Sequence, residues 1–196
     1  MTVADGTIYL VRHGRTALNA AGVLRGRLDP PLDAVGLGEA VVLGETFADV
    51  RIASVVTSPL ARARATSEPI AASTGAPLLE DDAFADRDYG PWAGTARGAV
   101  EAEHGSVDAA PGVEPFVSFA ARVVEGTTRY AARFDPLVIV GHDAVNRALL
   151  VELCVNITDD PEALGQRTGC WNRLERVRGQ WLAAVIDAVP GDGQTP

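Results

Sequence analysis

The feature that most constrains this chain is the apolar run Thr7-Ile8-Tyr9-Leu10-Val11, which ends abruptly in Arg12-His13-Gly14. A short apolar run with no polar alternation suits a strand covered on both faces, as inside a parallel sheet with helices above and below. In such sheets the loops leaving the C-terminal ends of the strands carry the ligand site. The run therefore points to a fold class and sets an arginine and a histidine where that class does its chemistry. A permanent cation beside a ring that titrates near neutrality suits an anionic, phosphorylated ligand.

The rest of the chain repeats the pattern. Strand-like runs over 7–12, 52–57, 77–80, 137–141, 172–177 and 181–187 alternate with helical stretches over 36–48, 59–73, 95–104, 115–134 and 144–155. Alternation of this kind reads as βαβ units, hence a three-layer α/β/α sandwich with a mainly parallel central sheet. The last two strands, joined at Arg178-Gly179, read as a hairpin that supplies an antiparallel edge, and a homodimer could pair through it. Pro59 suits the first turn of a helix. The stretch 105–114 has no periodicity and reads as a loop over the active edge of the sheet, with a lid as the functional alternative. The tail 190–196 is polar and reads as frayed. At 196 residues the expectation is a single domain over 1–196.

Charge and hydropathy exclude several function classes. A net charge of −9 argues against nucleic acid, whose binding is dominated by cationic neutralisation of phosphates. It also makes the arginines at 12, 25, 62 and 87 more telling, since cations gathered on separate loops of an acidic protein form a local funnel for a small anion. No apolar run reaches the ~18 residues of a membrane span, so no membrane association is expected. The polar start over 1–6 does not read as a signal peptide, so the expected location is cytoplasmic. Cys154 and Cys170 lack metal-ligand spacing and read as free, partly buried thiols.

Four further segments fall in order at strand-to-loop or loop-to-helix junctions. The first holds Thr16, Asn19 and Gly22-Val23-Leu24-Arg25-Gly26-Arg27-Leu28-Asp29-Pro30-Pro31-Leu32. Next come Thr57-Ser58-Pro59-Leu60-Ala61-Arg62-Ala63-Arg64, then Asp86-Arg87-Asp88-Tyr89-Gly90-Pro91-Trp92-Ala93-Gly94, then Val140-Gly141-His142-Asp143-Ala144. Joined to Arg12-His13-Gly14, this set resembles the histidine phosphatase superfamily, in its phosphoglycerate mutase-like branch, from Ile8 to the strand near Asp187.

Phosphate monoesters resist attack because their own oxygens repel nucleophiles. An enzyme must neutralise those oxygens, align a nucleophile in line and protonate the departing alkoxide. The resemblance implies a residue for each task. His13 is the expected nucleophile, a neutral imidazole whose far nitrogen is held by a backbone carbonyl. Arg12 and Arg62 are the expected phosphoryl clamps. Arg62 and Arg64 lie two apart and cannot share a helix face, and the family pattern Ser-Pro-Leu-x-Arg-Ala selects Arg62, leaving Arg64 as a solvated surface charge. His142 is expected to donate to the phosphoryl group, aided by helix N-terminal amides such as that of Asp143.

The chain also departs from the family. A glycine usually follows the second histidine, and here Asp143 adds a carboxylate that either repels phosphate or caps the helix, the cap being the favoured reading. The family usually carries glutamate four residues before the glycine of Gly-x-Trp-x-Gly, whereas Asp86 stands there. It is the expected general acid if apolar neighbours raise its pKa, with Asp88 as its rival. Asn19, Thr16, Arg25 and Gly26 occupy positions expected to bind phosphate or the rest of the substrate, and Arg87 and Tyr89 match substrate-contacting positions. Arg15 stands where the family often has Glu or Gln and has no assigned role.

A phosphatase lets water reach the phosphohistidine, whereas a mutase excludes it. The stretch between Asp86 and His142 holds only a short helix, a loop and a longer helix, without the long arginine-bearing insertion of the mutases that the chain resembles. The expected function is therefore phosphomonoester hydrolysis on a small phosphorylated metabolite without metal or other cofactor. Phosphoglycerate mutase-type transfer and a non-catalytic phospholigand-binding module are the alternatives.

Overall fold

The computed structural model describes residues 4–157 and 163–196, so residues 1–3 of the expected polar lead lie outside the described residues. The strands are β1 (Thr7–Arg12), β2 (Ser54–Thr57), β3 (Leu78–Glu80), β4 (Leu137–Gly141), β5 (Trp171–Val177) and β6 (Gln180–Ala188). They form one sheet in the order β3-β2-β4-β1-β5-β6. The first four are parallel and β5 and β6 run antiparallel. The hairpin closes at Arg178 and Gly179 with φ of 54° and 79°, the positive pair that matches the twist of a two-residue turn.

The alternation of side chains along each strand divides the core in two. Ile8, Leu10, Val56, Leu137 and Ile139 face one cluster with Phe119, Val123 and Leu149, which come from α5 (Phe116–Ala131) and α6 (Asp143–Leu153). Tyr9, Val11, Val55, Val138 and Val140 face the other with Leu43, Phe47, Ala63 and Ile70, from α2 (Ala34–Phe47) and α3 (Ala61–Thr74). All five β4 residues are buried, as a strand covered on both faces requires. Among the described residues no helix is long and apolar enough to cross a membrane.

Several boundaries differ from the sequence reading. Asp33 accepts from the amides of Val35 and Gly36, both at 2.9 Å, and so starts α2 at Ala34 rather than at 36. α3 begins at Ala61, after Pro59 rather than on it. A four-residue helix, α1 (Ala17–Ala20), was not expected; a capping box between Thr16 and Asn19 makes it. α4 (Arg97–His104) is shorter than expected, and the stretch 105–114 contains a 3-10 turn at Val107–Ala109. Val107 and Ala110 of that stretch are buried with Leu24, Tyr89 and Val100, a small third cluster. It packs the 22–32 loop, the Tyr89 segment and α4 against one another.

Close approach of backbone fixes the loop after β1. A Cβ on Gly14 would lie 2.5 Å from the Gly36 carbonyl oxygen, and one on Gly36 would lie 2.0 Å from the Arg15 carbonyl oxygen. Both are glycine because α2 crosses directly on this loop.

Candidate active site

β1 and β4 are neighbours in the sheet, with Arg12 opposite Gly141, so the residues that follow them emerge side by side. The His13 amide donates to the Gly141 carbonyl at 3.0 Å. The rings of His13 and His142 are thereby brought to 5.1 Å between centroids. Both are fully buried.

Each ring is oriented by a particular bond. His13 Nδ1 lies 2.6 Å from the Gly14 carbonyl oxygen, which can only accept, so Nδ1 holds the proton and Nε2 presents a lone pair. Arg62 Nε donates to that nitrogen at 3.2 Å. On His142, Nε2 is 2.8 Å from Ser58 Oγ, while Nδ1 is buried without a hydrogen-bond partner among the described residues, 3.9 Å from Asp86 Oδ2. Asp86 Oδ2 also accepts from Arg62 Nη2 at 3.2 Å, and Oδ1 accepts from the Arg87 amide at 2.9 Å.

The electrostatics follow from burial. Desolvation, reinforced by the positive charges of Arg62 and Arg12, holds the His13 pKa well below the usual histidine value. Desolvation and Arg62 do the same to His142. Both rings are therefore neutral near pH 7. Burial raises the Asp86 pKa above the usual carboxylate range and outweighs the opposing Arg62 and Arg25. The centre thus combines a neutral imidazole lone pair, a carboxyl whose pKa burial raises and fixed cations.

Arg62, projecting from the first turn of α3, also donates to the Leu28 carbonyl at 2.6 Å and to the Gly26 carbonyl at 3.0 Å. Gly26 sits at φ 51°, and a Cβ there would lie 2.9 Å from the Arg87 carbonyl oxygen. Arg64 points outward to Glu80 at 3.0 Å. Beside this cluster lies a cavity of about 350 Å³ lined by Arg12, Asn19, Arg25, Asp86, Tyr89 and Asp143, with neither histidine in its described lining. Arg12 is held by the Gln166 carbonyl through Nη1, and neither its buried Nε nor that of Arg25 has a hydrogen-bond partner among the described residues. Arg15 lies at the rim, paired with Asp33 at 2.9 Å.

Other expected residues are placed differently. Thr16 does not turn its hydroxyl to His13 but donates to Asn19 Oδ1 at 2.8 Å, the local demand of the α1 capping box. Asp143 does not cap α6. It is the first helical residue, after His142 at the cap position, and its carboxylate pairs with Arg147 one turn on at 2.6 Å. Asp88, the rival acid, is exposed and accepts from the Gly90 amide at 2.8 Å, away from the histidines. Arg87 donates to the Glu114 carbonyl at 2.8 Å and pairs with Asp108, facing a second cavity rather than the first.

Three supporting residues had no role in the sequence reading. Ser58 orients His142, the Gln166 backbone orients Arg12, and Thr66 Oγ1 accepts from the Gly14 amide at 3.0 Å while donating to the Arg62 carbonyl at 2.8 Å. Ser58 was readable in principle, since it directly follows the strand end at Thr57 and precedes Pro59. Gln166 was not, because nothing local to it signals a distant arginine. Cys154 and Cys170 are free and buried, and burial pushes the Cys154 thiol up to about 12.

The sequence profile of the histidine phosphatase superfamily (branch 1) matches residues 8–188. A protein of Bacillus subtilis (strain 168), named "Uncharacterized phosphatase PhoE", is 31% identical over 178 residues, which is 89% of this chain and 90% of that protein. The probable phosphoglycerate mutase GpmB of Klebsiella pneumoniae subsp. pneumoniae is 39% identical over 83 residues, 42% of this chain and 39% of the relative. Among solved structures, a mycobacterial glucosyl-3-phosphoglycerate phosphatase in complex with VO3 superposes with a TM-score of 0.82 at 25% identity, over 93% of this chain and 99% of that one.

Proposed function

The chain belongs to the histidine phosphatase superfamily, and from that premise we propose that it is a histidine acid phosphatase-type phosphomonoesterase, a single domain that hydrolyses a small phosphorylated metabolite through a phosphohistidine at His13. The phosphoryl group enters from the 350 Å³ cavity and takes the place of the Arg62–His13 hydrogen bond. His13 Nε2 attacks phosphorus as the ester P–O bond breaks. Asp86 gives its proton to the departing alkoxide, while Arg12, Arg62 and the unpaired Nδ1 side of His142 hold the phosphoryl oxygens. For His142 to donate there, its Nδ1 carries the proton and Ser58 Oγ donates to Nε2, a tautomer compatible with the observed contact.

In the second half, the Asp86 carboxylate takes a proton from water, whose oxygen attacks phosphorus. The P–N bond breaks, releasing inorganic phosphate and neutral His13. Asn19 and Arg25 add contacts to the phosphoryl side of the cavity, and Tyr89 and Asp143 stand where the alcohol portion leaves it.

The observation that carries this reading is the His13 geometry. Its Nδ1 is locked on the Gly14 carbonyl, and its Nε2 lone pair accepts from the same Arg62 guanidinium that donates to Asp86, an acid of raised pKa. The test is p-nitrophenyl phosphate hydrolysis in excess chelator by native protein and His13→Ala. Turnover that persists in chelator and falls by about four orders of magnitude in the variant is expected. Native protein that only exchanges phosphate between 2- and 3-phosphoglycerate would instead identify a mutase, and ligand-dependent melting without any turnover a binding module.

A further inference from the structure

A second cavity, of about 740 Å³, adjoins the first and shares Tyr89, Arg97, Asp143 and Ala144 with it. An ester whose phosphoryl group lies against Arg12 and Arg25, with its bridging oxygen toward Asp86, projects its alcohol portion past Tyr89 into this space. Its volume lies within the range of small-molecule sites, ~300–1,000 Å³.

The charges on its wall are specific. Three arginines line it, and each is already engaged by a carboxylate of the same wall: Arg87 with Asp108, Arg97 with Glu101 at 3.3 Å, and Arg147 with Asp143 at 2.6 Å. A fourth carboxylate, Glu152, leaves the lining net negative among the described residues. The uncharged wall is apolar at Val107, Phe116 and Val151 and carries the hydroxyls of Ser106 and Tyr89, with the Arg87 guanidinium 5.8 Å from the Phe116 ring centre. A carboxylate entering here would meet unlike charges that are already neutralised and one excess like charge. Hydroxyls, in contrast, can donate to the ion-paired carboxylates while one carbon face lies on Phe116.

We propose that this cavity is the leaving-group subsite and that it selects uncharged, hydroxyl-bearing alcohols of the sugar or polyol class against carboxylated ones. The proposal rests on the phosphatase reading above, and the two can fail separately. Matched pairs differing only by a carboxylate are titrated as competitors of p-nitrophenyl phosphate hydrolysis: glucose 6-phosphate against 6-phosphogluconate, and glycerol 3-phosphate against 3-phosphoglycerate. The inhibition constants are expected to favour the neutral member at least tenfold in each pair. Asp108→Asn, which frees the Arg87 guanidinium, is expected to reduce that ratio at least threefold. Equal or inverted ratios in the native protein, inhibition by neither member, or a ratio unmoved in Asp108→Asn would overturn the selectivity while leaving the phosphatase reading intact. No hydrolysis of p-nitrophenyl phosphate by the native protein would remove that reading and this inference with it.

Discussion

Asp86 is an aspartate where a longer acid is usual, and its raised pKa comes from burial against the pull of two arginines. A general acid matters most when the leaving group is poor. Asp86→Asn is therefore expected to lower kcat/KM for an alkyl phosphate by about 10²–10⁴-fold and for p-nitrophenyl phosphate by much less. Equal losses on the two esters would assign the proton to another group. The pH profile of kcat/KM follows from the same shifts. Activity rises as His13 loses its proton, below the usual histidine range, and falls as Asp86 loses its own, above the usual carboxylate range. The optimum is expected on the acid side of neutrality, and the alkaline limb should disappear in Asp86→Asn. Asp143 adds a negative charge to the lining of the phosphoryl cavity. Asp143→Asn is expected to tighten competitive inhibition by inorganic phosphate severalfold; unchanged inhibition would mean that the Arg147 pair already cancels its field.

At the scale of elements, the site depends on how closely α2 lies on the loop after β1. Two glycines on that helix should respond with opposite signs. A Cβ on Gly36 meets the Arg15 backbone at 2.0 Å, whereas one on Gly38 meets nothing within 4 Å. Gly36→Ala is expected to cost about 1–3 kcal/mol by overpacking and to displace the Gly14 carbonyl that orients His13, so kcat falls as well. Gly38→Ala is expected to gain up to ~1 kcal/mol through helix propensity with kcat unchanged. Urea unfolding and steady-state kinetics on the two variants check both signs. The close approach at Gly36 alone was not visible in the spacing of residues 36 and 38, which read alike as helix.

At the scale of the molecule, two of the three histidines are buried neutral. Their folded pKa values lie below the unfolded value of ~6.5, so their contribution is fully present above it and is lost as pH falls through the window beneath. Asp86 has the opposite sign, since its raised folded pKa makes its contribution present in acid and lost as pH rises through that value. Unfolding free energy is expected to fall between pH 7 and pH 5, with a shallower slope in His142→Gln. A slope unaffected by that substitution would place the acid sensitivity elsewhere.

Strand periodicity, the order of the motifs and the resemblance they carry were all local properties of the chain, and they determined the α/β/α architecture and the family. They also marked His13, His142, Arg62 and Asp86, because each stands beside a strand end or within a short motif with its own spacing. The contacts between these residues depended on strand order, which no local pattern encodes. Only the pairing of β1 with β4 brings the two rings to 5.1 Å, and only the crossing of α2 makes Gly14 and Gly36 obligatory. The same reason explains the misread side chains. Thr16 was expected at the substrate and Asp143 at the α6 cap, yet each side chain has a partner within one helical turn, in Asn19 and Arg147. Burial, which lowers the pKa of His13 and raises that of Asp86, is a property of the assembled layers alone.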